Sequence, residues 1–369
     1  MKLKIGVVCG EHSGDSLGAC IVEELKKNND VSLIGVGGPK LESLGLKSIF
    51  NFSELNVMGL VEPILHYRRL VKYRKTLIKL FIEKNIDIFI GIDSPDFNIA
   101  IHKSLKANTI CKNVQLVSPS VWAWRQGRVN SIKKYIDLTL CLFNFEDNFF
   151  KKNNHNSLHV GHPFANLNPT DKEIIFKKYK LNSIKKYISI LPGSRNSEIA
   201  SMSKTYIDFI KEHCSINKNF FYLVPAVDKK SLLTLQKLFL KQELPVLIKE
   251  NAIRDFLSIS EFSIATSGTA TLESAILGCP PIICYKTNAL NYAIISRMLK
   301  VDKVGLPNLL LNEDIYIELI QNKFNVKNIL KAIEVYKDKK MDNNKNIENL
   351  KNLLKGEGYS KAAKEIVSL

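Results

Sequence analysis

The run Ile86-Asp87-Ile88-Phe89-Ile90-Gly91-Ile92 limits what this chain can fold into more than any other stretch. It is short, nearly continuous in apolar residues and rich in Ile, the pattern of a strand buried on both faces of a parallel sheet. Asp93-Ser94-Pro95-Asp96 follows directly. In open parallel sheets ligands bind outside the carboxyl ends of the strands, so Asp93 stands where a reacting group would stand. A helix cap is the competing reading of Asp93, and the residues leave both open. Asp96 after Pro95 suits the start of a helix over Phe97–Lys106, where a carboxylate meets the positive end of the helix dipole.

Strand and helix patterns alternate along the whole chain. Lys4–Cys9 reads as a strand, Gly10–Asp15 as a tight turn, Leu17–Leu25 as an amphipathic helix and Val31–Val36 as a second strand. Beyond the central run come Val114–Val117, Leu138–Leu142 and Leu158–Val160, closed by Gly161-His162-Pro163. The polar stretch Pro169–Ser183 reads as an interdomain connection. The second half repeats the scheme, with strands at Tyr187–Leu191, Phe221–Val224, Pro245–Ile248 and Phe262–Ala265 and a helix at Glu198–His213. Such alternation predicts an α/β protein of two Rossmann-like domains, over 1–165 and 166–345, with parallel sheets facing a central cleft. The 369 residues suffice for two cores.

Composition excludes several classes. With 45% hydrophobic and 24% charged residues, neither disorder nor a collagen-like or disulfide-stapled chain fits. Seven Cys form no C-x-x-C pair and no zinc-ligand spacing with His, so they read as reduced core residues of a cytoplasmic protein. Met1–Gly10 lacks the features of a signal peptide, and no run approaches the roughly 20 apolar residues of a membrane span. The net charge of +17 points to an anionic partner: nucleic acid, a membrane surface or phosphorylated substrates. Lys excess spread over solvated faces is the alternative.

Three stretches carry chemistry. The turn at Gly10–Asp15 has neither G-x-G-x-x-G nor the Lys-Ser/Thr of a P-loop, so it is no nucleotide fingerprint. Thr266-Ser267-Gly268-Thr269-Ala270-Thr271-Leu272-Glu273, by contrast, follows a strand and opens a helix. Small hydroxyl residues and a Gly there offer free N–H groups and the helix dipole to a diphosphate, unless they merely cap the helix. Glu273, about one turn along, is in range of a ribose diol. Arg195, after the turn Pro192-Gly193-Ser194, supplies a fixed charge for a departing diphosphate. Trp122 and Trp124 beside Arg125 and Arg128 suit either ring stacking with anion binding or plain core packing. Val57, Met58, Leu60 and Val61, followed by Arg68, Arg69 and Lys72, describe either an interfacial membrane contact or a packed helix with a wet basic face. Taken together the residues suggest group transfer from a nucleotide diphosphate donor, with no metal cluster and no cofactor.

The ordered set Gly10–Asp15, Val57-Met58-Gly59, Gly91–Asn98, Ser118–Arg128, Gly161-His162-Pro163, Leu191–Arg195, Ser267–Glu273 and Leu306-Pro307-Asn308-Leu309 resembles the lipid-A-disaccharide synthase family, glycosyltransferase family 19, over nearly the whole chain. The resemblance implies a GT-B fold and an inverting, metal-independent transfer. A diacylglucosamine would pass from UDP-diacylglucosamine to the 6-hydroxyl of diacylglucosamine 1-phosphate, giving a β-1,6 disaccharide and UDP. It implies Asp93 as general base and a UDP site at Ser194, Arg195, Ser267, Gly268, Thr269, Glu273 and Asn308. It puts Glu11, Ser13, Asp96, Asn98, Trp124 and Arg125 in the acceptor region or cleft. It also turns Val57–Lys79 towards a membrane reading, peripheral on the anionic cytoplasmic face of the inner membrane. Dimers are implied, with the Lys-rich tail 346–369 packing on the first domain or on a partner chain. His12, Ser94 and Asn166 depart from the family pattern, and Asn166 takes no charged role. The rivals are another UDP-sugar GT-B enzyme, such as a cell-wall lipid transferase or an epimerase, and a basic nucleic-acid-binding protein, for which no binding motif is present.

Overall fold

The computed structural model describes residues 2–55, 66–119, 126–287, 303–338 and 343–369. These divide into two compact units, one of residues 2–163 and 354–369, the other of 164–287, 303–338 and 343–353. Each is built on one parallel six-stranded sheet.

In the first unit the strands are β1 (Leu3–Cys9), β2 (Val31–Val36), β3 (Ile88–Ile92), β4 (Lys112–Leu116), β5 (Leu138–Cys141) and β6 (Ser157–His159). Their order across the sheet is β2-β1-β3-β4-β5-β6, all parallel. Every residue of β3 is buried, as a central strand covered on both faces requires. Chain direction across the sheet reverses between β1 and β3, and helix α1 (His12–Asn28) leaves from that point. Phe81, Phe89, Ile101 and Leu105 pack one core here.

The second unit holds β7 (Lys186–Leu191), β8 (Phe220–Ala226), β9 (Val246–Glu250), β10 (Phe262–Thr266), β11 (Pro281–Tyr285) and β12 (Glu318–Ile320). The order β12-β11-β10-β7-β8-β9 repeats the logic: β8 and β9 are laid down on one side of β7, then β10 returns on the other. Its largest core is aromatic, with Tyr206, Phe209, Tyr222 and Phe239 fully buried. Strands β11 and β12, the latter at the edge, extend the sheet beyond the strands legible in the sequence. Three-residue β12 carries too little pattern to read.

The last residues of the chain belong to the first unit. His162 N–H donates to Leu354 O at 2.9 Å, and Gly161 pairs with Lys355. A Cβ on Gly356 would lie 2.2 Å from Gly161 N, so only Gly permits this approach. The helix Tyr359–Ser368 then lies against α1 and buries Ala362, Ala363 and Ile366.

Burial leaves a pH signature. Four buried histidines, His102, His155, His162 and His213, have their pKa pushed down to about 4 by loss of hydration. In the unfolded chain they titrate near 6.5. The unfolded state therefore takes up protons first as pH falls, so this stability is fully present above pH 6.5 and is lost between there and about 4. Thermal unfolding should show a midpoint clearly lower at about pH 5 than at about pH 7.5. A flat profile over that range would contradict the neutral, buried imidazoles.

Candidate active site

Register brings two predicted loops together at the switch point of the first sheet. Cys9 of β1 pairs with Ile92 of β3, so the residues that follow both strands emerge side by side. From β1 come Glu11, half-buried just before α1, and Ser13, exposed in its first turn. From β3 comes Asp93, its side chain partly exposed.

The backbone at Asp93 is held from inside. Asp93 and Ser94 both adopt left-handed conformations, with φ of 51° and 41°. Such residues persist only where their surroundings over-determine them, and they concentrate at functional sites. Here Asp93 N–H donates to Leu116 O at 2.9 Å, while Asp93 O accepts from Asn98 Nδ2 at 2.8 Å and Gln115 Nε2 at 3.1 Å. Ser94, not Asp93, occupies the N-cap position of the helix Pro95–Asn108. That removes the capping alternative for Asp93.

The neighbours fall into place differently. Asp96 is exposed in the first turn of that helix and pairs with Arg128 at 2.5 Å, matching the dipole reading. Asn98 is fully buried, so it acts on Asp93 from beneath. Trp124 and Arg125 lie outside the described residues. Asp15 was not singled out in the sequence, yet its buried carboxylate accepts the N–H groups of Gly38, Lys40 and Leu41. A polar residue inside the motif Gly10–Asp15 was the available signal.

The second sheet has the same arrangement. Leu191 of β7 pairs with Ala265 of β10, so Ser194 and Arg195 emerge beside Ser267, Gly268 and Thr269. Each strand runs through a turn into a helix, Asn196–Ile216 and Thr269–Ile276 respectively. Two helix starts thus emerge side by side, the arrangement that receives phosphates. Ser194 and Gly268 are exposed, and a Cβ on Gly268 would meet nothing within 4 Å, so the backbone there is approachable.

Glu198, which the sequence reading passed over, organises the first of these starts. Its carboxylate accepts Ser194 N–H at 3.1 Å, Arg195 N–H at 3.3 Å and Arg195 Nη1 at 2.5 Å. Gly193, at φ 109°, leaves the room it needs: a Cβ there would stand 2.5 Å from Glu198 Oε2. The signal was present as an acid three residues beyond the N-cap.

The remaining UDP candidates are tied inside the unit. Glu273 is buried, 7% exposed, and receives Arg254 Nε at 3.2 Å. Asn308 is fully buried: its Nδ2 donates to Tyr316 O and Glu318 Oε1, and its Oδ1 accepts Tyr316 N–H. Glu318 in turn accepts the N–H groups of Val304 and Gly305, and Ser267 Oγ donates to Val304 O at 3.0 Å. Asn308 therefore shapes the loop beside Ser267 rather than presenting its own amide. Glu318, ten residues beyond Asn308 and outside every motif, had no local signal.

Val57, Met58, Leu60 and Val61 lie outside the described residues. The helix that follows, Tyr67–Glu83, buries Leu77 and Phe81 and exposes Arg68 and Lys72, with Arg69 paired to Glu54 at 2.9 Å. Among the described residues no helix is long and apolar enough to cross a membrane, and no group of His, Cys, Asp and Glu is arranged to hold a metal ion.

Two Rossmann-like parallel-sheet units, each with candidate residues at its switch point, define a GT-B type protein. Solved structures of that class are similar along the full length. A Methanocaldococcus jannaschii UDP-GlcNAc 2-epimerase in complex with UDP-GlcNAc and UDP has a TM-score of 0.62 at 15% identity, covering 100% of this chain and 99% of that one. MurG of Acinetobacter baumannii has a TM-score of 0.53 at 9% identity, with 100% and 99% covered. At these identities the likeness speaks for the fold alone. The lipid-A-disaccharide synthetase family model matches residues 5–368. The lipid-A-disaccharide synthase of Colwellia psychrerythraea is 36% identical over 98% of this chain and 94% of its own length, and that of Acinetobacter baylyi 38% over 90% and 88%. The chain belongs to the lipid-A-disaccharide synthase family.

Proposed function

We propose that this protein is the glycosyltransferase that joins UDP-diacylglucosamine to diacylglucosamine 1-phosphate, releasing UDP and the β-1,6-linked disaccharide 1-phosphate. The observation that carries the reading is the family match along residues 5–368.

In this reading Asp93 takes the proton from the 6-hydroxyl of the acceptor as that oxygen attacks the anomeric carbon of the donor sugar. The bond from that carbon to the diphosphate breaks, and UDP departs with inversion. Arg195 and the helix starts at Ser194 and at Ser267, Gly268 and Thr269 stabilise the leaving charge, with neither metal nor cofactor. Glu273 faces the ribose, and Asn308 supports the loop beside Ser267. The acceptor lies along Glu11, Ser13, Asp96, Trp124 and Arg125, while Asn98 steadies Asp93. Val57, Met58, Leu60 and Val61, with Arg68, Arg69 and Lys72, rest on the anionic inner-membrane surface, where the acyl chains of both substrates reside. The protein works there as a peripheral homodimer and has no nucleic-acid partner.

The test is incubation with UDP-diacylglucosamine and the monosaccharide 1-phosphate, followed by mass analysis. A tetra-acylated disaccharide monophosphate that forms only when both substrates are present is expected. Turnover of the UDP-sugar without acceptor would point to an epimerase and overturn the reading.

A further inference from the structure

Beneath Asp93 lies a polar side chain in the middle of the first sheet that no part of the proposed chemistry uses. Gln115, on β4, is 1% exposed. Its Nε2 lies 3.1 Å from Asp93 O, 3.2 Å from Leu116 O and 3.2 Å from Val117 O. An amide nitrogen has only two hydrogens, so one is shared, and the three carbonyls are drawn to a single point. Two of them belong to left-handed residues: Asp93, and Val117 at φ 70°, a conformation a β-branched residue rarely takes. One amide therefore ties the end of β3 to the end of β4 where both chains bend against their preference.

The amide is itself oriented. His102 Nε2 lies 3.2 Å from Gln115 Oε1. Because Oε1 only accepts, Nε2 must carry the hydrogen, and burial keeps the ring neutral, with a pKa of about 4. That contact forces the Gln115 nitrogen to the carbonyl side. The space is reserved for this group, since a Cβ on Gly91 would stand 2.9 Å from Gln115 Oε1 and 3.0 Å from His102 Nε2. Asn98 Nδ2 reaches Asp93 O from the other direction.

We propose that Gln115 is a positioning residue for glycosyl transfer: it sets the direction in which Asp93 presents its carboxylate, and His102 holds Gln115 in the orientation that does so. The inference rests on Asp93 being the general base. Neither Gln115 nor His102 touches the reacting atoms, so their removal acts on turnover through Asp93.

The experiment compares full-length Gln115→Met, Asp93→Asn and the double variant, measuring kcat, the KM for UDP-diacylglucosamine, UDP affinity and the thermal midpoint. Met keeps the length and removes the donor. Gln115→Met should lower kcat by about 10- to 100-fold, the scale of a misaimed catalytic group, with KM and UDP affinity within about twofold. In the double variant kcat should fall no further than in Asp93→Asn alone, because residues acting as one unit are not additive. A kcat for Gln115→Met within about threefold of the parent, or losses that multiply in the double variant, would overturn the inference while leaving Asp93 as base. An Asp93→Asn enzyme of near-parental activity would remove the base itself, a separate failure. Should Gln115→Met not fold, His102 decides the matter. Here His102→Gln, which keeps an N–H toward Gln115 Oε1, should retain kcat, and His102→Leu should lower it. Equal kcat in those two would overturn the proposal.

Discussion

Replacing Asp93 by Asn lowers turnover by roughly 100-fold or more, the usual scale for a lost general base, and leaves the fold and UDP affinity nearly unchanged. The structure makes this a clean substitution. Asn has the same shape and tolerates the left-handed backbone better than most residues, so φ of 51° at this position costs it little. Asn keeps the main-chain N–H and carbonyl through which Leu116, Asn98 and Gln115 hold the turn. What disappears is the proton acceptor. Steady-state rates with both lipid substrates, together with calorimetric UDP binding, measure the two quantities separately. Activity within a few-fold of the parent would exclude Asp93 from the role.

Arg195→Ala weakens UDP binding about 10- to 100-fold, from the loss of a charge-assisted hydrogen bond of about 1.5–3 kcal/mol. The turn itself should persist. Glu198 accepts the backbone N–H groups of Ser194 and Arg195, and Ala keeps both. The side-chain change does expose a second effect, because the Glu198 carboxylate, now without its guanidinium partner, repels a diphosphate at the same helix start. Glu198→Gln in the Arg195→Ala background should therefore recover part of the affinity. UDP titrations of the single and double variants test both points. Unchanged affinity and turnover in Arg195→Ala would argue against any phosphate contact at this position.

How much of this was legible in advance depended on how local the cause was. Strands such as Ile88–Ile92 and Phe262–Thr266 are buried on both faces and so must be apolar throughout, which marks them whatever surrounds them. Turn residues that end those strands, Asp93 and Ser267 through Thr269, follow from the strands. Glu198 was within reach through its capping spacing. Gln115 was not, because it is one of three polar residues in the strand Lys112–Leu116 and looks like the others until its three carbonyl partners are known. Asn98 and Asn308 could be named from their motifs, but not their burial, which depends on Gln115 and Asp93 in one case and on Tyr316 and Glu318 in the other.

By itself the sequence determined the α/β class, the parallel strands and the identity of the polar residues at their carboxyl ends. Each of these is dictated by a run of a few residues and the solvent it must avoid. Only the tertiary structure decided which ends are neighbours. Apolar strands of similar length are interchangeable as far as local energetics go, and the order β2-β1-β3 or β10-β7-β8 comes from pairing and helix packing between distant segments. That order sets Asp93 beside Glu11 and Ser13, and Arg195 beside Ser267. Through the same long-range pairing of β3 with β4, a buried glutamine comes to hold the carbonyl of the proposed base.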